Sequence, residues 1–205
     1  NATMYDVQVA TDDAFTSIIA SGTVTTNSFA LTGLSDATQY VWRVLPKNDS
    51  CSGNFSSTYL FKTGLPDCSV FNSTNVPIAI PTTANVTVNS TLNVVPANVI
   101  SDVNVTVNIS HTWVNDMTIT LISPSGTEVQ LVDLPCVSAS LLNIDATFDD
   151  SGIPLVCATN PAIFGTIQPL QSLTAFNGQA MNGVWTLRVL DSFNQDGGSI
   201  NSWSL

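Results

Sequence analysis

An all-β chain is predicted here, built as two tandem antiparallel β-sandwiches, and three observations predict it. Short runs of alternating apolar and polar residues recur through the 205 residues, and a period of two is the mark of a half-buried strand. Gly, Pro, Asn and Asp fall between the runs, where turns need them. No amphipathic helical period is found, and the acids agree with that. Of 15 acidic residues, Glu128 is the sole Glu and the rest are Asp. Asp favours turns where Glu favours helices.

The runs, in order, are Tyr5–Ala10, Phe29–Leu31, Tyr40–Leu45 and Tyr59–Lys62, then Val86–Leu92, Val103–Ile109, Met117–Ile122, Val129–Val132 and Val184–Leu190. Between the two groups, Lys62-Thr-Gly-Leu-Pro66 offers a Gly/Pro break. The expected domains are therefore 1–65 and 66–205. The last block, Gly183–Leu205, reads as strand, turn and return strand. Trp185, Leu187 and Val189 share one side, and Asp191 and Asp196 bracket a turn closed by Gly197-Gly198. Ile200, Trp203 and Leu205 make the return. Asp-Gly between such strands predicts a hairpin.

Composition narrows the function classes. Hydrophobic residues make up 44% and charged ones 9%, so the chain folds. Four basic against 15 acidic residues leave a net charge of −11. That surface excludes nucleic acid and anionic lipid as partners, since both need Lys/Arg clusters, and it suits cations. No apolar run is long enough for membrane insertion. Four cysteines fall as two near pairs, Cys51 with Cys68 and Cys136 with Cys157. With a single His and no C-x-x-C, they argue disulfides and an oxidising compartment, and not zinc. Each loop, once closed, stabilises by about 3 kcal/mol. A 51–68 bridge would pin the end of the first unit to the start of the second. The chain opens at Asn1 without a signal peptide, so a secreted precursor is expected to supply one upstream.

Two resemblances follow from particular residues. Tyr5-Asp-Val-Gln-Val9 and Leu34-Ser-Asp-Ala-Thr-Gln-Tyr40-Val-Trp42-Arg-Val44 resemble the later part of a fibronectin type III domain, with Tyr40 as its tyrosine corner. Roughly five strands before Gly64, where such a sandwich needs about seven, imply that the first strands are missing. The second unit carries Ile100–Trp113, Asn115–Thr127, Ile144–Gly152, Leu173–Gly178 and the closing Gly183–Leu205 block. In this order and spacing it resembles the P domain (homo B domain) of proprotein convertases, in the form found behind bacterial secreted proteases. The resemblance implies a jelly-roll-like sandwich of about eight strands. A fibronectin type III unit followed by a P domain also resembles secreted or cell-surface multi-domain proteins of Bacteroidetes.

The chemistry-bearing residues are few. His111 is the only His, so any Ser-His-Asp relay must use it. Ser110 beside it points to the opposite face of a strand, and no Gly-x-Ser-x-Gly elbow exists. His111 therefore reads as framework, and no catalytic residue is assigned. Calcium is the better expectation, since it takes about 6–8 oxygen ligands from carboxylates and loop carbonyls. The candidates are Asp102, Asp116, Asp145, Asp149, Asp150, Asp191 and Asp196. Asp149-Asp150 before Ser-Gly reads as a loop that turns both carboxylates inward. For each Asp alone, turn formation is the simpler role. Trp42, Trp185 and Trp203 read as packing residues, which leaves Trp113 as the candidate for an exposed binding platform. Sequons such as Asn104-Val-Thr106 and Asn108-Ile-Ser110 are explained equally by strand composition.

The functional expectation is a non-catalytic accessory region of a larger secreted or cell-surface protein, a protease by the resemblance. Its partner would be an upstream catalytic or repeat domain of the same polypeptide, together with a surface or secretion-system component. The alternative is an adhesin, filament or glycan-binding module with no protease attached.

Overall fold

The computed structural model describes residues 1–65, 68–137 and 141–205. These form two compact units, Asn1–Cys68 and Ser69–Leu205, and strands dominate both.

The first unit is a four-stranded antiparallel sheet. Its strands are β1 (Met4–Ala10), β2 (Ile18–Val24), β3 (Gln39–Lys47) and β4 (Tyr59–Lys62), in the order β2-β1-β3-β4. Alternation sorts the sheet's two faces. Val7, Val9 and Tyr40 are buried on one side, with Phe29, Leu31, Trp42, Val44 and Phe61 packed against them. The Tyr40 hydroxyl accepts the Ser35 N–H at 2.8 Å, which ties the turn to the strand it opens. On the other side Arg43 lies between two rings, its guanidinium carbon 3.9 Å from the centroids of both Phe15 and Phe55. It also donates twice to Gln8 Oε1. A planar guanidinium stacks and forks where an ammonium does neither. Arg43→Lys is expected to cost the first unit about 1–2 kcal/mol, measured by urea unfolding.

Two expectations for this unit are corrected. Phe29–Leu31 is not a strand, because none of the described residues offers it main-chain partners, while Ile18–Val24 is one. Cys51 and Cys68 do not bridge; both are exposed and unpaired. Cys51 follows the end of β3, beside the Lys47–Ser52 bridge. Cys68 follows β4, whose last residue, Lys62, pairs with Gln39 at the start of β3. The two thiols thus leave from opposite ends of a nine-residue strand, about 26 Å of extended chain, whereas a disulfide needs Cα atoms within about 7 Å.

The second unit is a two-sheet sandwich. One sheet has the order β11-β10-β7-β13-β5, formed by Ile163–Ile167, Ile144–Ile153, Val105–His111, Gly198–Ser204 and Ile78–Ile80. The other has the order β6-β12-β8-β9, formed by Val86–Val94, Gly183–Asp191, Met117–Ile122 and Glu128–Asp133. All pairings are antiparallel except β10 with β11. The core lies between the sheets, and Phe148, Phe176, Trp185, Leu187 and Val189 are among its most buried members. Trp203 is buried too, and its indole N–H donates to Ser90 Oγ in the facing sheet at 2.7 Å.

Ile200 and Trp203 both point inward although they are three residues apart. A register shift between Ile200 and Ser202 makes this possible, since a bulge resets the alternation. Asn201 at the bulge donates to Asn108 Oδ1 and Ser110 Oγ. Gly198 is obligatory where β13 enters the sheet, because a Cβ there would stand 1.8 Å from the Ser110 carbonyl oxygen.

The expected hairpin at Gly183–Leu205 is also corrected. β12 and β13 belong to different sheets, so Ser192–Gly197 is an arch that crosses from one layer to the other. Both strands carry an inward apolar row, and packing the two rows face to face buries both at once. Cys136 and Cys157 form a disulfide. It clasps β10, a segment that its Asp-Asp-Ser-Gly tail made look like a loop.

Candidate functional site

The inward row of β7 runs Val105, Val107, Ile109, His111, and that of β12 runs Trp185, Leu187, Val189, Asp191. Each row ends on a polar residue. Because the two strands face each other across the core, those residues meet at one end of the sandwich. His111 Nε2 is 3.3 Å from Asp191 Oδ2, with both side chains fully buried. The Nε2–H donates to the carboxylate, whose Oδ1 accepts the Phe193 N–H. Nδ1 lies 2.8 Å from the Trp113 carbonyl and 3.1 Å from its amide. A neutral ring accepts from that amide, and a charged ring donates to that carbonyl. Asn143 pairs with the His111 main chain on both sides, its Oδ1 accepting the His111 N–H. The imidazole is thus fixed by its neighbours. Ser110 points away, and its Oγ accepts from Asn201, so no proton path runs between the two.

Three of the seven candidate acids gather at this end. Asp116 closes the short 3-10 turn Val114–Asp116 and is 6% exposed. Its carboxylate accepts no hydrogen bond among the described residues. Burial pushes its carboxyl above the ordinary range, and the nearby Asp196 and Asp191 push it further. The arch packs directly on this turn: the Ser192 N–H donates to the Asp116 carbonyl at 3.0 Å. Asp196 Oδ1 accepts from Thr112 Oγ1, which accepts the Gly197 N–H. No group of three His, Cys, Asp or Glu among the described residues converges as a ready metal-ligand set.

The other four candidates lie elsewhere. Asp149 follows Phe148, which pairs with Val105 at the far end of β7 from His111. That is about 20 Å of strand away. Its neighbour Asp150 does not share a site with it, as the expected loop required, because both sit in β10 and diverge. Asp149 Oδ1 accepts from the Ser151 hydroxyl and amide, which hold its carboxyl below the usual range. Asp150 anchors the second 3-10 turn, accepting from the Leu173 and Thr174 amides and from Ser172 Oγ. Asp145 is exposed in β10 opposite Asn108, and Asp102 is exposed in the segment before β7. Trp113 is half-buried, with its main chain engaged by His111. The His111–Asp191 contact spans 80 residues, which no local pattern reveals. The available signal was two apolar alternations that each end on a polar residue.

The family model of the proprotein convertase P-domain matches residues 100–205, just over half of the chain. The chain belongs to the proprotein convertase P-domain family. The matched stretch runs from before β7 to the end of β13, so the polar end of the sandwich lies within the P domain. A search of curated proteins finds no match. Among solved structures, the serine protease of Aeromonas sobria is similar at 19% identity and a TM-score of 0.44. The same organism's serine protease in complex with the chaperone ORF2 is similar at 19% identity and a TM-score of 0.41. In each case the match covers 69% of this chain and 27% of the other, so the matched part spans about a quarter of those chains.

Proposed function

We propose that this chain is a non-catalytic accessory region of a larger secreted or cell-surface protease, stabilising or positioning the catalytic part. The P-domain match over residues 100–205 carries the reading. It is supported by the single His being buried, fixed and turned away from Ser110. No helix among the described residues is long and apolar enough to cross a membrane. The first unit, with the Tyr40–Ser35 tie, is read as part of a fibronectin type III domain. The deciding experiment removes residues 66–205 from the parent protein. Loss of thermal stability or of peptidase activity in what remains is the expected result, with no peptidase activity in the isolated chain. A parent made only of β-sandwich repeats would replace this reading with that of an adhesin or filament module.

A structural calcium ion is proposed at the Asp116 end. Asp116 is 6% exposed and its carboxylate has no donor among the described residues, so its charge is only partly hydrated and uncompensated, which is costly. It would hold the ion with Asp191 or Asp196, and main-chain carbonyls and water would complete the oxygen shell. Without the ion, the raised Asp116 carboxyl means that the folded state binds more protons than the unfolded chain. Stability then falls as pH rises from the ordinary carboxylate range through the raised value, and the penalty persists above it. Asp116→Asn removes that penalty, so in EDTA near pH 7 it is expected to melt higher than the parent sequence. Calcium at about a hundred times its dissociation constant should add about 2.7 kcal/mol to the parent chain and nothing to Asp116→Asn. Equal melts in calcium and EDTA would remove the ion.

A further inference from the structure

We propose that the outer edge of β6 is a self-association edge, matched to β6 of a second copy of this chain in an antiparallel pair, and that Asn75 is the latch that keeps it shut. This stands independently of the accessory role. A strand edge with free amides and carbonyls recruits other strands, and proteins blunt such edges with charge, Pro, bulges or cover. The other edges of the second unit are blunted. β9 carries Glu128 and Asp133, and the Leu170 and Gln171 amides donate to its Leu131 and Gln130 carbonyls. β11 holds Gly165 at a φ of 77°. β5 has only three residues. β6 is different. Its nine residues, Val-Thr-Val-Asn-Ser-Thr-Leu-Asn-Val, include no charge, Pro or Gly, and all of them pair with β12 without a register shift. The Thr91 N–H donates to Asn75 Oδ1 at 3.3 Å and so points away from β12. Main-chain groups alternate sides along an antiparallel strand. Those of Thr87, Asn89 and Asn93 therefore face the open edge too, and no described residue bonds to them there.

The second copy is chosen by the sequence of β6, which is close to a palindrome about Ser90. In an antiparallel pair centred there, Val86 meets Val94, Val88 meets Leu92, Thr87 meets Asn93 and Asn89 meets Thr91 of the second copy. The residues with open main-chain groups then face each other. Apolar side chains adjoin apolar ones on the inner face, and Thr adjoins Asn on the outer. Two chains of net charge −11 meet where neither is charged, so no like charges are brought opposite each other. Asn75 blocks this pairing. Its side chain is exposed, yet its Oδ1 also accepts from Ser90 Oγ at 2.6 Å and its Nδ2 donates to Thr91 Oγ1 at 3.3 Å. It thus straddles the edge at the midpoint, where the second copy would lie. The strap that carries it is fixed on the end of β13: Phe71 and Leu205 exchange main-chain hydrogen bonds, and the Ser73 N–H donates to the Trp203 carbonyl.

The test uses this chain with Cys51→Ser and Cys68→Ser, so that the exposed thiols do not cross-link it. Mass is read by light scattering from micromolar to near-millimolar concentration, and amide hydrogen exchange of β6 by mass spectrometry. With Asn75 in place, the expected result is a monomer at every concentration and rapid exchange at Thr87, Asn89 and Asn93. Asn75→Ala is expected to give a dimer, with about tenfold slower exchange at those residues. Asn75→Ser, too short to span the edge, should do the same. Asn75→Asp keeps the acceptor and adds a charge, so it should stay monomeric. Adding Thr91→Pro to Asn75→Ala should restore the monomer, because Pro is tolerated where an edge amide faces outward but cannot donate to a second strand. Exchange in β7 and β8 should not change in any variant, which reports an intact fold. An Asn75→Ala chain that stays monomeric overturns the proposal. So does a dimer that Thr91→Pro leaves intact, or a chain already dimeric through β6 with Asn75 in place.

Discussion

Trp185→Ala should lower the unfolding free energy of the second unit by about 3–5 kcal/mol, the range for removing a fully buried aromatic. Trp185 is 1% exposed on the inward face of β12. Its ring meets Phe176 edge-on at 5.1 Å between centroids, and its indole N–H donates to the Met181 carbonyl at 2.9 Å. Truncation therefore leaves a cavity, strips Phe176 of its partner and orphans a carbonyl, and these losses act together. Domains have only about 5–15 kcal/mol in all, so the variant should unfold at much lower denaturant. Trp185→Phe should recover most of the loss, because it refills the space and forfeits chiefly the hydrogen bond. A Trp185→Ala loss below 1 kcal/mol would show that the two sheets do not pack as described.

Replacing both Cys136 and Cys157 by Ala should cost about 3 kcal/mol, the chain-entropy value for a closed loop with a sequence separation of 21. Both cysteines are replaced so that no new free thiol confuses the result. The disulfide closes around β10, which is paired to β7 on one side and to β11 on the other. The loss should therefore appear first as faster amide exchange in β10 and β11, with β6 and β12 following only at global unfolding. Dithiothreitol should reproduce the effect in the parent chain and have none on the double variant. An unchanged denaturation midpoint for the double variant would show that β10 needs no clasp.

Much of this was legible in the residues. The rows Val105-Val107-Ile109 and Trp185-Leu187-Val189 alternate cleanly because each strand is central in its sheet, with one face fully in the core. Edges and crossings were harder to read. β2 lies at the edge of its sheet and mixes exposed and half-buried residues, so its period is weak. β10 carries Asp149, Asp150 and Gly152, turn formers by propensity, yet pairing on both sides and the disulfide hold it extended. Asp191–Gly198 has the chemistry of a hairpin turn, but tertiary packing sends its arms to different layers. The Asp116, Asp191 and Asp196 grouping depends on that crossing, so the acids were nameable as a set of seven and only the fold divided them.

The arch has a consequence for how the molecule is made. β13 sits between β7 and β5, and β12 sits between β6 and β8, so these two strands enter the middle of sheets begun on the order of a hundred residues earlier. Neither layer can close until these two strands have been made. Folding dominated by such distant pairings is slow. Until the final strand arrives, the half-built layers expose unpaired central edges that invite association with other nascent chains.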